Sequence, residues 1–304
     1  MGGQAVMEGV MMRGVGTWAV AVRNPAGEIE LAVHDAPSWS ERWSAIPVLR
    51  GVMALAESLS LGFKALAGSA DRQLPEDERI SSKAMGWTMA TAGVFFAGVF
   101  LVLPALGTSA LSDVIGVHGF EYHLLEGGIR LGFFLAYLLG IGLLPDIKRV
   151  FQYHGAEHKA IAAYENDAEL TPESAQTFST EHVRCGTNFL LTVMVVTIFV
   201  YAFVGRPALP LLILSRIVLI PLVAGLAYEL IRFAARHMQL RWVRVLMVPG
   251  LSLQKLTTRQ PSLDQLEVAI TSLRAAMTAE QLSEVESRSK PAARSVARPA
   301  FGTA

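Results

Sequence analysis

The sequence predicts a mainly α-helical, multi-pass membrane protein with about four transmembrane helices, a small N-terminal β-hairpin element and a cytoplasmic helical insert. Two observations carry this prediction: the chain is poor in charge, and its apolar residues lie in runs of bilayer length. Of its 304 residues, 52% are hydrophobic and 17% are charged, whereas an ordinary soluble domain carries about 25% charged residues. The mean hydropathy of +0.40 agrees with a chain that is largely surrounded by lipid.

Charge balance and cysteine content exclude two classes of protein. The chain carries 26 basic and 26 acidic side chains, so its formal net charge is zero. A nucleic-acid-binding protein needs a basic excess to replace the counterions of the phosphate backbone, and we therefore expect no nucleic-acid partner. The single cysteine rules out a disulfide framework.

Two uncharged runs in the first half of the chain predict the first two spans. Residues 86–107 form a run of 22 without a charge, which at about 1.5 Å per helical residue covers a ~30 Å hydrocarbon core. Residues 131–145 form a shorter run of 15. We expect the Arg130 side chain to snorkel, so that this span extends back to Gly127.

Two further runs predict the last two spans. Residues 186–205 are rich in Val, Leu, Ile and Phe. Residues 207–228 are interrupted by Arg216 and contain Pro221, which predicts a kink in the middle of this span. Because a charge in lipid is costly, Arg216 is expected to face the interior of the bundle and to contact main-chain carbonyls or a lipid phosphate.

The distribution of Lys and Arg predicts the orientation in the membrane. Basic residues are frequent before residue 86, within residues 146–185 and after residue 231, whereas residues 108–127 carry none. Both termini and the 146–185 segment are therefore expected on the cytoplasmic side of the inner membrane. The first forty residues contain no apolar stretch typical of a signal peptide.

The predicted organisation has a soluble part at each end and one between the second and third spans. Its parts are a cytoplasmic N-terminal segment (1–85), transmembrane helices one and two (86–145), a cytoplasmic metal-site insert (146–185), transmembrane helices three and four (186–231), a cytoplasmic C-terminal helical region (232–282) and a disordered tail (283–304). Residues 17–34 alternate around an Asn-Pro-Ala-Gly turn, which predicts the β-hairpin. Residues 46–66 are amphipathic at helical spacing, so this helix would lie at the membrane interface or pack on the bundle.

The insert carries the pattern that is most informative about chemistry, H-x-x-E-H. His154 and His158 are four residues apart, so on a helix their imidazoles lie one turn apart and reach the same ion. Glu157 falls between them in angle and would act as the catalytic base that takes a proton from water activated by the metal. This order of residues is that of the inverzincin motif.

A second pair of metal-ligand residue types closes the insert. His182 and Cys185 are three residues apart, immediately before the third span, and imidazole and thiolate are ligands that zinc prefers. Both ends of the insert are tethered to the membrane, so folding it back on itself would bring the two pairs together. The sequence therefore predicts a zinc site whose candidate ligands are His154, His158, His182 and Cys185.

Four stretches of the chain resemble the YqhQ-like family of bacterial multi-pass membrane proteins. They are G-G-Q-A-V-M-E-G-V-M-M-R-G at the start, F-Q-Y-H-G-A-E-H-K in the insert, H-V-R-C-G-T-N-F-L before the third span and P-G-L-S-L-Q-K-L-T-T-R-Q-P near the end. The family is described as predicted metal-dependent enzymes of unknown function. The resemblance implies a metal site at the matching His154, Glu157, His158, His182 and Cys185, and it supplies no substrate.

Two functions remain open for such a site. If all four ligands bind, the shell is closed and the zinc is structural, as expected of a membrane scaffold or a partner-binding protein. If His182 or Cys185 stands aside, Glu157 acts as the base of a zinc-dependent membrane hydrolase, whose substrate would be a lipid headgroup or a membrane-proximal peptide. The hydrolase is the leading hypothesis. A metal transporter is disfavoured, because the predicted spans contain no His or acidic pair that would pass an ion along.

Several other polar residues have two interpretations. Glu8 and Arg13 either pair with each other or cap the turn, or they have a functional role, in which Glu8 joins the site or Arg13 binds an anionic headgroup. Glu165 and Glu181 are candidates for the downstream carboxylate ligand that an inverzincin protease needs, although neither has a diagnostic spacing. His123, in the connector between the first two spans, is expected at the surface.

Overall fold

The computed structural model describes residues 1–75, 78, 81–182 and 185–288. Its strands are β1 (Gly2–Val6), β2 (Gly9–Arg13), β3 (Thr17–Arg23) and β4 (Ile29–Asp35). Its helices are α1 (Leu49–Asp71), α2 (Ser82–Ala97), α3 (Leu103–Ile115), α4 (Gly119–Ile141), α5 (Pro145–Glu165), α6 (Pro172–Gln176), α7 (Gly186–Val204), α8 (Leu209–Val218), α9 (Ile220–Arg236), α10 (Arg241–Thr257), α11 (Leu263–Ala275) and α12 (Ala279–Arg288). The described chain is therefore mainly helical, as predicted.

The N-terminal β element is an antiparallel sheet with the strand order β1–β2–β3–β4. The predicted hairpin is confirmed as β3 and β4, whose turn is closed by a 2.9 Å hydrogen bond from the Gly27 N–H to the Asn24 carbonyl. Gly27 has φ +90°, a conformation that glycine adopts without strain. Strands β1 and β2 extend the sheet beyond the prediction. Because β2 is buried on both faces, it lacks the polar–apolar alternation that identifies a strand buried on one face.

The sheet lies between two helical layers. Successive side chains of a strand point to opposite faces, so neighbouring methionines of β2 belong to different cores. Met11 packs with Leu61 and Ala65 of α1 on one face. Met12 and Ala21 lie on the other face, in the core that includes α5 and α11. This sheet-containing part of the protein is thus built from both ends of the chain and from the insert between α4 and α7.

Helix α12 corrects the predicted start of the disordered tail. Residues 283–288 belong to this helix, and Val285 is 1% exposed in the same core as α11. Arg288 adds an ion pair with Asp167 at 2.7 Å. One apolar side chain and one arginine thus hold a segment whose composition alone predicts disorder. Residues 289–304 of the predicted tail lie outside the described residues.

Three helical stretches of the described chain are long and apolar enough to cross a membrane, namely Lys83–Ile115, α4 and α7. The first consists of α2, a π-helical turn (Gly98–Val102) and α3. Helices α8 and α9 bend by 45° and would form a fourth crossing if the pair is one broken span. The bend lies beside Pro221, as predicted, because proline removes a main-chain hydrogen bond. These features are consistent with a membrane protein.

A buried charge cluster joins three of the apolar helices. Glu126 of α4 accepts hydrogen bonds from Arg130 at 2.7 Å and from Arg216 of α8 at 3.0 Å. Arg130 is 3% exposed and also donates to the Thr197 hydroxyl of α7 at 2.8 Å, so the predicted snorkelling is wrong. Arg216 faces the interior as predicted, but its partner is this carboxylate, which compensates the charge within the bundle. His123 is 3% exposed, so the predicted surface position is wrong as well.

The amphipathic N-terminal helix packs on the bundle, the second of the two predicted alternatives. Arg50 of α1 donates from Nε to Glu229 of α9 at 2.7 Å. Gly51 lies so close to α9 that a Cβ there would be 2.7 Å from the Cβ of Tyr228. Helix α1 therefore packs against the sheet on one side and against α9 of the bent pair α8–α9 on the other.

Candidate metal centre

Helix α5 carries the H-x-x-E-H residues in one uninterrupted helical segment. It begins with Pro145 in its first turn, where proline has no hydrogen bond to lose and its fixed φ favours the helix. His154 and His158 lie one turn apart, with ring centroids separated by 4.4 Å. The helix predicted for the insert therefore gives the two imidazoles the proximity that a shared ion requires.

Main-chain carbonyls orient both imidazoles. Nδ1 of His154 lies 2.8 Å from the carbonyl oxygen of Thr257 at the end of α10. Nδ1 of His158 hydrogen-bonds to the carbonyl oxygen of Thr180. A carbonyl oxygen only accepts, so each Nδ1 donates the hydrogen bond and Nε2 is the ring nitrogen left to bind a metal. Histidines that ligate metals are commonly held in this way.

Cys185 supplies a sulfur atom next to these lone pairs. Its Sγ lies 3.3 Å from Nε2 of His154. Cys185 is the N-cap of α7, and the Thr187 N–H donates to Sγ at 3.4 Å, so the start of the helix holds the side chain. The ligand atoms of His154, His158 and Cys185 all lie within 4.8 Å of one another. Folding of the insert thus brings three of the four predicted ligands into one group.

Glu157 lies beside this group and is 6% exposed. Burial raises the pKa of its carboxyl to about 7, while the charge of His154 and a hydrogen bond from the Ala5 N–H act in the opposite direction. Strand β1 covers the residue so closely that a Cβ on Gly3 would lie 2.9 Å from Glu157 Cγ. A desolvated carboxyl beside metal-ligand residues is the environment of a general acid–base group.

His182 is adjacent to the three-residue group but is not part of it. Its ring centroid is 5.7 Å from that of His158, and its Nε2 lies 3.2 Å from the Glu165 carboxylate. The Gln254 side chain binds the His182 main-chain N–H and carbonyl, each at 2.8 Å. Burial lowers the pKa of His182.

Glu181, the other predicted carboxylate ligand, lies 3.7 Å from Nζ of Lys255 of α10.

A cavity of about 420 Å³ adjoins the cluster and extends toward β1. Its polar wall contains Glu157 and all four predicted ligands, and its other wall contains the main chain of the first strand. The complete lining is Met1, Gly2, Gly3, Gln4, Ala5, Val150, Phe151, His154, Glu157, His158, Ile161, His182, Cys185, Gly186 and Thr187. The arrangement leaves room for a small reacting group next to the metal-ligand atoms and the carboxyl.

Glu8 and Arg13 each link the sheet to a different helix rather than pairing with each other. Glu8 accepts from Nη2 of Arg149 at 2.6 Å and lies 3.3 Å from the Tyr153 hydroxyl. Arg13 forms an ion pair with Glu57 of α1, whose side chain is fully buried. Glu8 thus fixes the sheet to the turn of α5 that precedes the metal-ligand residues.

The residues that hold the predicted ligands and Glu157 could not be found from the sequence, because most of them act through main-chain atoms. They are Ala5, Thr180, Gln254 and Thr257. A signal existed for two of them, since Gln254 and Thr257 lie in the stretch P-G-L-S-L-Q-K-L-T-T-R-Q-P that carries the family resemblance. Gly250 of the same stretch packs against Asn188 of α7. This stretch therefore contacts two of the predicted ligands, His154 through Thr257 and His182 through Gln254.

The fold and the site together define a class of helical proteins with three or four candidate membrane spans and a His–His–Cys cluster covered by a β-sheet. The chain belongs to the family described as "Protein of unknown function (DUF1385)", whose model matches residues 46–279. It is also similar to "Uncharacterized protein YqhQ" of Bacillus subtilis (strain 168), with 35% identity over 300 residues, 93% of this chain and 94% of that protein. The resemblance to the YqhQ-like family is thereby confirmed. No solved structure matches the chain.

Proposed function

We propose that the protein is a zinc-dependent hydrolase of the bacterial inner membrane that acts at the cytoplasmic surface. The observation that carries this proposal is the group of three ligand atoms within 4.8 Å of one another, with the buried Glu157 and a cavity beside it. A lipid headgroup or a membrane-proximal peptide is the substrate expected at this position. The proposal includes four membrane crossings, with α8 and α9 as one broken span.

The donor set fits zinc. Two imidazoles and one thiolate are ligand types that zinc prefers, and three protein ligands are the number found in catalytic zinc sites. The carbonyl oxygens of Thr257 and Thr180 keep the Nδ1 protons in place, so the Nε2 atoms are ready to bind without reorganisation. When bound, zinc supplies a Lewis acid that polarises the scissile bond and acidifies a water molecule.

Glu157 is proposed to move the proton. It lies on the same face of α5 as the two histidines and lines the same cavity, so its carboxylate accepts the proton of the attacking water and returns it to the leaving group. The Ala5 N–H holds the carboxyl in place. The sheet above it excludes bulk water, which strengthens the interaction between the carboxylate and a nearby positive charge.

Metal analysis of the purified full-length protein tests the metal site. We expect stoichiometric zinc in the wild type and in Glu157→Gln, and loss of most of the zinc in His158→Ala and Cys185→Ser. His237→Ala is the matched control, because His237 lies outside the cluster and hydrogen-bonds to Phe233. Wild-type protein without stoichiometric metal would overturn the proposal.

Membranes incubated with each variant test the hydrolase. Mass spectrometry of lipids and peptides is expected to find a product that wild-type protein releases and that neither Glu157→Gln nor His158→Ala releases. If Glu157→Gln releases the same products as the wild type, Glu157 is not the base and the hydrolase is refuted.

A non-enzymatic scaffold with structural zinc is the second candidate, and the position of His182 favours it. The His182 ring centroid is 5.7 Å from that of His158, so a modest movement away from Glu165 would close the shell with a fourth ligand. X-ray absorption spectroscopy distinguishes the two functions. The hydrolase predicts that His182→Ala keeps its zinc and its set of protein ligands, whereas the scaffold predicts that the variant loses one nitrogen ligand or the zinc itself.

A further inference from the structure

A second and larger cavity meets the metal centre at Cys185 and Gly186. It measures about 830 Å³ and lies between α1, the start of α7 and the end of α9. The first cavity shares these same two residues. The two cavities are therefore adjacent, and a ligand that occupies the second one has its end next to the metal-ligand sulfur.

The wall of this second cavity is largely apolar. Leu55 of α1, Phe189 of α7 and Ile231 of α9 supply much of its surface. Helix α7 begins at Gly186 and α9 ends at Arg236, and both ends line the cavity. It therefore lies at the end of the apolar helices, at the level where a bilayer meets water.

Two arginines add positive charge to this apolar wall. Arg232 and Arg236 are four residues apart and so occupy the same face of α9, and both line the cavity. Among the described residues neither forms an ion pair within 4 Å: the Glu229 carboxylate pairs with Arg50, and the charge of Arg232 acts on it only from a longer distance. Two neighbouring guanidinium groups at a membrane surface favour an anion with phosphate or carboxylate oxygens.

We propose that the second cavity binds an anionic glycerophospholipid and that such lipids are the substrate class of the metal centre. The phosphate pairs with Arg232 and Arg236, and part of an acyl chain lies along the apolar wall. That the lipid is a substrate rests on the proposed hydrolase, whereas the binding of the lipid does not, since binding needs no metal. Apolar walls favour a lipid over a soluble anion, which would gain nothing from them.

The chemical step that follows is the hydrolysis of one ester bond of this lipid. The oxygen of a water molecule forms a bond to the acyl or phosphoryl centre, and the ester bond to the alcohol oxygen breaks. Glu157 accepts one proton of that water and donates it to the leaving alcohol oxygen, so the products are an acid and an alcohol. No oxidant or further reactant is needed.

Lipid capture by the full-length protein in nanodiscs tests the binding. The discs contain either phosphatidylcholine alone or phosphatidylcholine with phosphatidylglycerol, and native mass spectrometry counts the lipids that stay on the released protein. Wild-type protein is expected to retain phosphatidylglycerol selectively. The double variant Arg232→Gln/Arg236→Gln is expected to retain it roughly tenfold less.

The matched control is Arg241→Gln/Arg244→Gln, which makes the same change in charge at exposed positions of α10 outside the cavity. It is expected to retain phosphatidylglycerol like the wild type. Equal loss in both double variants, no loss in either, or a co-purified peptide in place of the lipid would overturn the proposal. Ala235→Trp keeps both arginines and narrows the cavity, and undiminished lipid retention by this variant would overturn it as well.

The experiment separates this inference from the proposed function. Zinc content is measured on the same samples, and lipid capture is repeated after treatment with a chelator. Selective capture by metal-free protein supports the lipid site even if the metal analysis refutes the hydrolase. Stoichiometric zinc without selective capture supports the metal centre and refutes the lipid as its substrate.

Discussion

At the scale of single residues, His154 shows how the site is assembled from distant parts of the chain. Its Nδ1 faces the Thr257 carbonyl at 2.8 Å and its Nε2 faces the sulfur of Cys185 at 3.3 Å. The close approach of α5 to the segment after α10 requires Gly155, because a Cβ there would collide with the carbonyl oxygen of Arg259. Gly155 therefore allows the close approach that places the Thr257 carbonyl on Nδ1 of His154.

Gly155→Ala is therefore expected to displace the segment around Thr257 and to weaken the proposed metal site. Overpacking of this kind costs about 1–3 kcal/mol, so both the thermal stability and the zinc content of the purified protein should fall. Gly128→Ala is the control, because a Cβ at Gly128 meets nothing within 4 Å. A Gly155→Ala protein with wild-type melting temperature and zinc content would contradict this account of the packing.

At the scale of elements, the bundle is organised around one buried carboxylate. Glu126 of α4 is 1% exposed and binds Arg130 of its own helix and Arg216 of α8. Arg130 also donates to the carbonyl of Phe100 in the π-helical turn at 2.9 Å. An arginine of α4 thus binds a main-chain carbonyl of the irregular turn. The ring of Tyr201 lies 4.1 Å from the Arg216 guanidinium and covers it.

Glu126→Gln is expected to destabilise the protein strongly, since it leaves two buried arginines without their shared carboxylate. Breaking a buried pair on one side costs about 3–5 kcal/mol, which a thermal unfolding assay in detergent measures as a large drop in melting temperature. Glu121→Gln is the control, because Glu121 lies on the same helix but is exposed. Equal melting temperatures for the two variants would show that the cluster contributes little to stability.

At the scale of the whole molecule, the soluble elements form one cap over one end of the apolar helices. The sheet, α5, α11 and α12 share a core, although they come from the N-terminal segment, the insert and the C-terminal region. If the apolar helices cross a membrane, all three lie on the same side of it. The Lys and Arg distribution, an independent property of the sequence, also predicts one common side for the three segments.

Fusions to a periplasmic phosphatase reporter test this orientation. Fusions after Gly116 and after Gly205 should be active, because these positions follow the first and third apolar helices. Fusions after Asn166 and after Arg288 should be inactive, because these positions belong to the cap. Activity of the Asn166 fusion in intact cells would contradict the proposed cytoplasmic location of the candidate metal centre.

The sequence by itself determined the features that depend on local spacing. Apolar runs identified the candidate spans, the four-residue spacing of His154 and His158 predicted a helical pair of candidate ligands, and Pro221 marked the broken helix. Each of these follows from the geometry of a single helix or from the length needed to cross a bilayer. The hairpin of β3 and β4 followed in the same way from alternation and a local turn.

Only the tertiary structure decided which polar groups meet. It brings Cys185 into the ligand group while His182 contacts Glu165, and it gives Arg216 a carboxylate partner 90 residues earlier in the chain. It also adds β1 and β2, whose burial between two helical layers removes the alternation that would have revealed them. Such contacts join segments that are far apart in sequence, and the carbonyls of Thr180 and Thr257 that orient the histidines carry no side-chain signature. The packing of the cap against the helices sets the positions of these carbonyls, and no spacing of residues along the chain predicts that packing.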